Sequence, residues 1–202
     1  MKKFIKVSIS LGIILTCTAL YVGVVYYNQN LVGPDDEYDY IVASAEWAVM
    51  YKNTQELIDA ADLVVLGEVT SSTSFIEQVG LPHTVENTII STNHTFKITK
   101  ILKGSAEVKE ILIQQTGGII DKTVSYIQDD PLLTEDVEMI VFLREFESNG
   151  YCILGGPQGR FHIKNNKVYS IGELYPDSAS TTKALHTDGV TKENFFKTVE
   201  DN

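Results

Sequence analysis

Polarity changes most sharply near the start of the chain. Lys2, Lys3 and Lys6 are followed by a run from Val7 to Tyr27 that holds neither a charge nor a proline. Such a run is about the twenty residues needed to cross a hydrocarbon core as a helix. Asp35, Asp36, Glu37 and Asp39 follow it. Basic residues stay on the cytoplasmic side, so the pattern predicts a single-pass helix in the cell membrane, N-terminus inside and the bulk extracytoplasmic. Tyr21, Tyr26 and Tyr27 fall toward the outer end, where amphipathic rings favour the interface. Two other readings stay open beside this uncleaved anchor. Cys17-Thr18-Ala19 could serve as a signal-peptide cleavage site, and Cys17 after Ile14-Leu15-Thr16 could carry a lipid. All three export the remainder.

Beyond the anchor (1–28), residues 29–52 read as a linker and helical lead-in, and 53–202 as one extracytoplasmic β domain. Gly33-Pro34 blocks helix continuation, and Glu46 to Tyr51 has a helical spacing of Trp47 and Met50. Asn53 caps a short predicted helix over 54–61. Leu63 to Val69 is an apolar, valine-rich run, as expected of a strand covered on both faces, and Thr70 to Ser74 then reads as loop. Residues 78–87 form a predicted excursion. The phase slip at Ile101-Leu102 in the strand 92–103 predicts a bulge. Further strands are predicted at 108–115, 139–143 (the centre of the sheet), 151–154, 160–164 and 168–169. Ser148-Asn149-Gly150 and Asn165-Asn166 supply hairpin turns. Thr191 caps a closing helix bearing Phe195, Phe196 and Val199. The spacing of strands and Gly-rich turns gives the fold class: mainly β, a small OB-like barrel with flanking short helices, plus the N-terminal transmembrane helix.

Charge narrows the partners. The net charge is −11, and setting aside the three leading lysines leaves 13 basic residues against 27 acidic ones, a net −14. Such a surface repels phosphate backbones, so nucleic acid is not expected as a partner. Of the two cysteines, Cys17 lies in the apolar run and Cys152 is alone beyond it. An intradomain disulfide and a cysteine-based zinc site are therefore both unexpected, and Cys152 reads as a packed strand residue.

The order Ala61-Asp62-Leu63-Val64-Val65-Leu66-Gly67-Glu68-Val69, Phe96-Lys97-Ile98, Leu102-Lys103-Gly104, Gln115 to Gly118, Asp130-Pro131-Leu132-Leu133, Phe142-Leu143 and Gly155 to Phe161 resembles poorly characterised exported, membrane-anchored proteins of Gram-positive bacteria. More distantly it is similar to the netrin-like/TIMP family of OB barrels. The resemblance spans most of 54–171 and implies a fold rather than an activity. TIMP-type inhibitors chelate a protease zinc through a disulfide-tethered N-terminal cysteine, which this domain does not have at its start.

The histidines, His83, His94, His162 and His186, are scattered without metal-ligand spacing, and His162 alternates outward between Phe161 and Ile163. Asp129, Asp130, Glu135, Asp136 and Glu138 lack the calcium-loop spacing, so a solvated loop is expected there. No Gly-x-Ser-x-Gly elbow is present. Gly155 to Gly159 lies between two strands, which suits a sharp bend. Gln115, Gln158 and Arg160, the polar groups nearest the glycine breaks, are the expected ligand-binding residues; no catalytic residue, metal or cofactor is expected. The sequence thus suggests a non-enzymatic binding module that meets an envelope protein or wall component. The alternatives are an envelope hydrolase drawing on Asp121, Asp129, Asp130 or Glu135, and an inhibitor of an exported protease.

Overall fold

The computed structural model describes residues 22–26, 38–46, 49–79, 87–146, 150–171, 185, 187 and 189–202. Most of the expected membrane helix lies outside this set. Its last residues, Val22–Tyr26, are a strand (β1) that pairs antiparallel with β2, Asp39–Glu46. Among the described residues no helix is long and apolar enough to cross a membrane.

The fold is mainly β. A short helix, α1 (Thr54–Ala60), starts where Asn53 accepts a hydrogen bond from Glu56 N at 2.9 Å. The strands that follow are β3 (Leu63–Val79), β4 (Asn87–Lys103), β5 (Glu110–Thr116), β6 (Gly118–Ile120), β7 (Thr123–Ile127), β8 (Met139–Phe146) and β9 (Gly150–Ile153). A 3₁₀ turn over Gly156–Gly159 leads to β10 (Arg160–Lys164) and β11 (Lys167–Ser170), and α2 (Lys192–Glu200) follows. Strand β3 pairs with β4, β4 with β5, β5 in parallel with β9, β9 with β8, and β8 back with β3. These pairings make a ring of five strands. Strands β10 and β11 extend it beyond β8.

The two apolar faces read from the sequence are both used. Along β3, Leu63, Val65 and Val69 point into the ring with Phe96, Ile111, Ile113, Met139, Val141 and Leu143. Val64 and Leu66 point outward, into a second cluster with Leu57 and Ile58 of α1, Phe142, Phe161, and Phe195 and Val199 of α2. Phe161 lies 5.5 Å from Phe142 and 5.2 Å from Phe195, ring centre to ring centre. Alternate residues of one strand therefore serve two cores, which is why the run shows no polar alternation.

Several expectations change. The polar stretch after Val69 is strand, not loop: β3 and β4 stay paired from Ser71–Thr95 out to Val79–Asn87. Serine-rich segments read as turns when taken alone, but each residue from Ser71 to Val79 has a ladder partner on the facing strand. Asp39–Glu46, expected within the linker, pairs in parallel with β7, and Val49-Met50 are not helical. The bulge does fall at Leu102, with two further register shifts nearby. Asn165 and Asn166 both take positive φ, 52° and 59°, as a two-residue turn with this twist requires. Strand β8 is buried along Met139 to Leu143 and pairs with three neighbours.

Candidate functional site

One end of the ring is lined by polar side chains, and strand parity puts them there. On β4, His94 and Thr92 share the inward face of Phe96; on β5, Gln115 continues the face of Ile111 and Ile113. On β10, Arg160 stands opposite Val141 and His162 opposite Met139, so both share the side of these inward residues while Phe161 turns to the other core.

The segment 129–133 closes over this end. Arg160 is 1% exposed and donates through Nη2 to Asp130 Oδ1 and through Nη1 to the Pro131 carbonyl, each at 2.5 Å. Gln115 Oε1 accepts from Leu133 N at 2.8 Å, and its amide nitrogen lies 3.5 Å from Asp130 Oδ1 and from the Pro131 oxygen. Leu133 is thereby fixed in the ring interior. A guanidinium and a carboxylate removed from water persist through such mutual bonds, although Arg160 Nε is buried with no hydrogen-bond partner among the described residues.

Asp129 and Asp130 are buried, which corrects the expectation of a solvated loop; Glu135 and Asp136 are exposed. Burial pushes the Asp130 carboxyl above the ordinary range, against the opposing pull of Arg160 and Gln115. As the partner of a buried guanidinium, Asp130 is not placed to act as a free acid or base. Among the described residues, no three His, Cys, Asp or Glu side chains gather as a metal site.

The expected binding residues divide. Gln115 and Arg160 meet through Asp130 and Pro131, in a buried network rather than at an open surface. Gln158 is elsewhere: its Oε1 accepts from Tyr51 N at 2.8 Å and its Nε2 donates to Tyr51 O at 2.9 Å. This buried amide ties the segment before α1 to the 3₁₀ turn. Gly155 takes a positive φ of 58° at the start of that turn, where the chain bends between β9 and β10.

His94, expected only as one of four scattered histidines, belongs to this end of the ring. It is 1% exposed, its Nδ1 lies 2.9 Å from Ser72 Oγ, and its Nε2 is buried with no hydrogen-bond partner among the described residues. Its place in the phase of Thr92 and Phe96 was the available signal. Burial, and then Arg160, lower its pKa to about 4, while the neighbouring Gln115 amide opposes them. His162 corrects its outward reading. It is half-buried, and burial followed by Arg160 lowers it to about 4 also.

Both histidines are therefore neutral in the fold at pH 7, and the unfolded chain, with imidazoles near 6.5, binds more protons as pH falls. Their contribution is complete above about pH 6.5 and is lost progressively down to the folded value of about 4. The buried His94 forfeits roughly 3 kcal/mol over that window, by the linkage between pKa and stability, and the half-buried His162 forfeits less because solvent screens it. Asp130 acts in the opposite sense, because a raised carboxyl favours the fold below its unfolded value. Urea unfolding at pH 7 and pH 4.5 is expected to show a marked loss, and His94→Gln to reduce it. An equal midpoint at both pH values would contradict the burial of neutral imidazoles.

Comparison with family models and with curated proteins returns no match for this chain.

Proposed function

We propose that the protein is a membrane-tethered extracytoplasmic binding module whose ligand-carrying part is an OB-type barrel. The five-strand ring with one parallel contact, β5 against β9, supports the barrel reading. The observation that carries the binding role is the extension of β3 and β4. The two strands run on as a ribbon from Ser71–Thr95 to Val79–Asn87, past the last β3 residue paired with β8, Gly67. A paired ribbon of this length contributes little to either core, and Ser71, Ser72, Thr73, Ile76 and Gln78 face solvent. The tether is the apolar run Val7 to Tyr27 behind three lysines, and an envelope protein is the expected partner.

The placement is tested in intact cells expressing the full chain. Carbonate washing is expected to leave it in the membrane pellet, and external protease to digest the C-terminal part while sparing an N-terminal tag. Recovery of the intact chain in the cytosolic fraction would overturn the tethered, exported reading. The binding role is tested by cross-linking in the same cells: a discrete adduct is expected, and its absence across linkers of several lengths and chemistries would count against a binding module.

A further inference from the structure

We propose that the outer edge of β3 from Ser71 to Val79 is a strand-addition site for an extended, positively charged segment of a partner protein. The inference rests on the binding-module reading and gives it a place and a partner chemistry. Along Ser71–Val79 one edge of β3 is occupied by β4. On its other edge β8 stops at Gly67, and the last backbone contacts are at Val69, whose carbonyl accepts from Asp136 N at 3.1 Å. Beyond Val69, among the described residues, no further backbone–backbone hydrogen bond reaches that edge; Ile119 N donates instead to the Ser74 side chain at 3.1 Å. The matching edge of β4 is different, since β5 covers Ser91 to Lys97.

A row of unpaired amides and carbonyls recruits other strands, so proteins blunt such edges with lysines, prolines, bulges or inward charges. None of these protects Ser71–Val79. The segment has no lysine or proline, and all three register shifts precede or end at Ser71. Its one charged residue, Glu77, is turned across the ribbon, where its Oε2 accepts from Ser91 Oγ at 2.6 Å and from Gln114 Nε2 at 3.0 Å. A regular edge of this length, left unguarded, is suited to β-augmentation.

Charge selects the occupant. Exposed Glu135 and Asp136 stand beside Val69, where the edge opens. Neither strand of the ribbon carries a lysine or arginine before Lys97. A second copy would bring two acidic domains and two sets of these carboxylates together; a cationic strand meets attraction instead.

The probe is a blocked nonapeptide, Lys-Val-Thr-Val-Thr-Val-Thr-Val-Lys, with a counterpart in which glutamates replace the lysines. Binding to the full-length chain in nanodiscs is followed by anisotropy and by amide exchange. The lysine peptide is expected to slow exchange within Ser71–Val79. It is expected to bind at least tenfold more tightly than the glutamate peptide, and to weaken at least tenfold in Thr73→Lys. Because Thr73 is exposed, the variant is expected to keep its urea midpoint; a shifted midpoint passes the test to Glu135→Gln/Asp136→Asn, expected to weaken the lysine peptide selectively. Three results overturn the proposal: no protection of Ser71–Val79, equal binding of both peptides, or a dimer in sedimentation that Thr73→Lys abolishes. A cellular cross-link that survives Thr73→Lys would leave the binding module standing and remove this site from it.

Discussion

Replacing Arg160 with methionine is expected to cost the protein about 3–5 kcal/mol, the range for breaking one side of a buried ion pair. The size follows from what stays behind. Asp130 is buried and its carboxylate accepts from Arg160, while the same guanidinium holds the Pro131 carbonyl. Removing the cation strands the buried Asp130 carboxylate away from water, and takes a donor from the Pro131 carbonyl as well. Segment 129–133 is then expected to open, carrying Leu133 out of the ring. Arg160→Met combined with Asp130→Leu should recover most of the loss, because an apolar pair carries no stranded charge. Urea unfolding of the full chain in detergent, followed by far-ultraviolet circular dichroism, measures both variants. A single variant within about 1 kcal/mol of the parent would mean that Asp130 is neutralised without Arg160, by protonation for example.

Gly67→Ala is expected to lose about 3 kcal/mol, the upper part of the range for overfilling a packed interior. A Cβ at this position would run into the carbonyl oxygen of Lys97 on β4 and come within 2.6 Å of the Phe96 ring. Phe96 is fully buried in the ring interior. The register between β3 and β4 shifts between Leu66 and Gly67, so the glycine marks the place where β4 presses closest on β3 as the ring curves. Backbone cannot yield as a side chain can. Phe96→Leu in the Gly67→Ala background should therefore fail to restore the unfolding midpoint. Restoration would show that the ring of Phe96, rather than the strand backbone, sets the limit.

How much of this was legible depended on whether strand parity had been followed past the apolar residues. Ile111 and Ile113 alternate onto one buried face, and Gln115 is simply the next residue in that phase. Phe96 faces the ring interior, and His94 and Thr92 share its parity. Arg160 precedes Phe161, so it had to point away from the aromatic cluster that Phe161 joins. What parity could not supply was the partner. Asp129-Asp130-Pro131 reads as a hydrated acidic loop because nothing local shows that Arg160, thirty positions later, is waiting beneath it. Gln158 shows the same limit, since its hydrogen-bond partner Tyr51 is on the opposite side of the chain order. The strand 71–79 was missed for a related reason. Serine is a common turn residue, and only the facing residues of β4 make this serine-rich run a ladder.

The sequence by itself determined the elements whose causes are local. These are the Asn53 and Thr191 caps, the paired asparagines at 165–166, the bulge at Leu102, and the two-faced apolar strands whose side-chain period assigns each residue to one core or the other. Tertiary structure alone decided which strands meet across the ring, which charges are taken out of water, and which edge is left without a neighbour. Those outcomes depend on contacts between residues far apart in the chain, and the energies of ion pairing and ladder closure exist only once the two sides have been brought together.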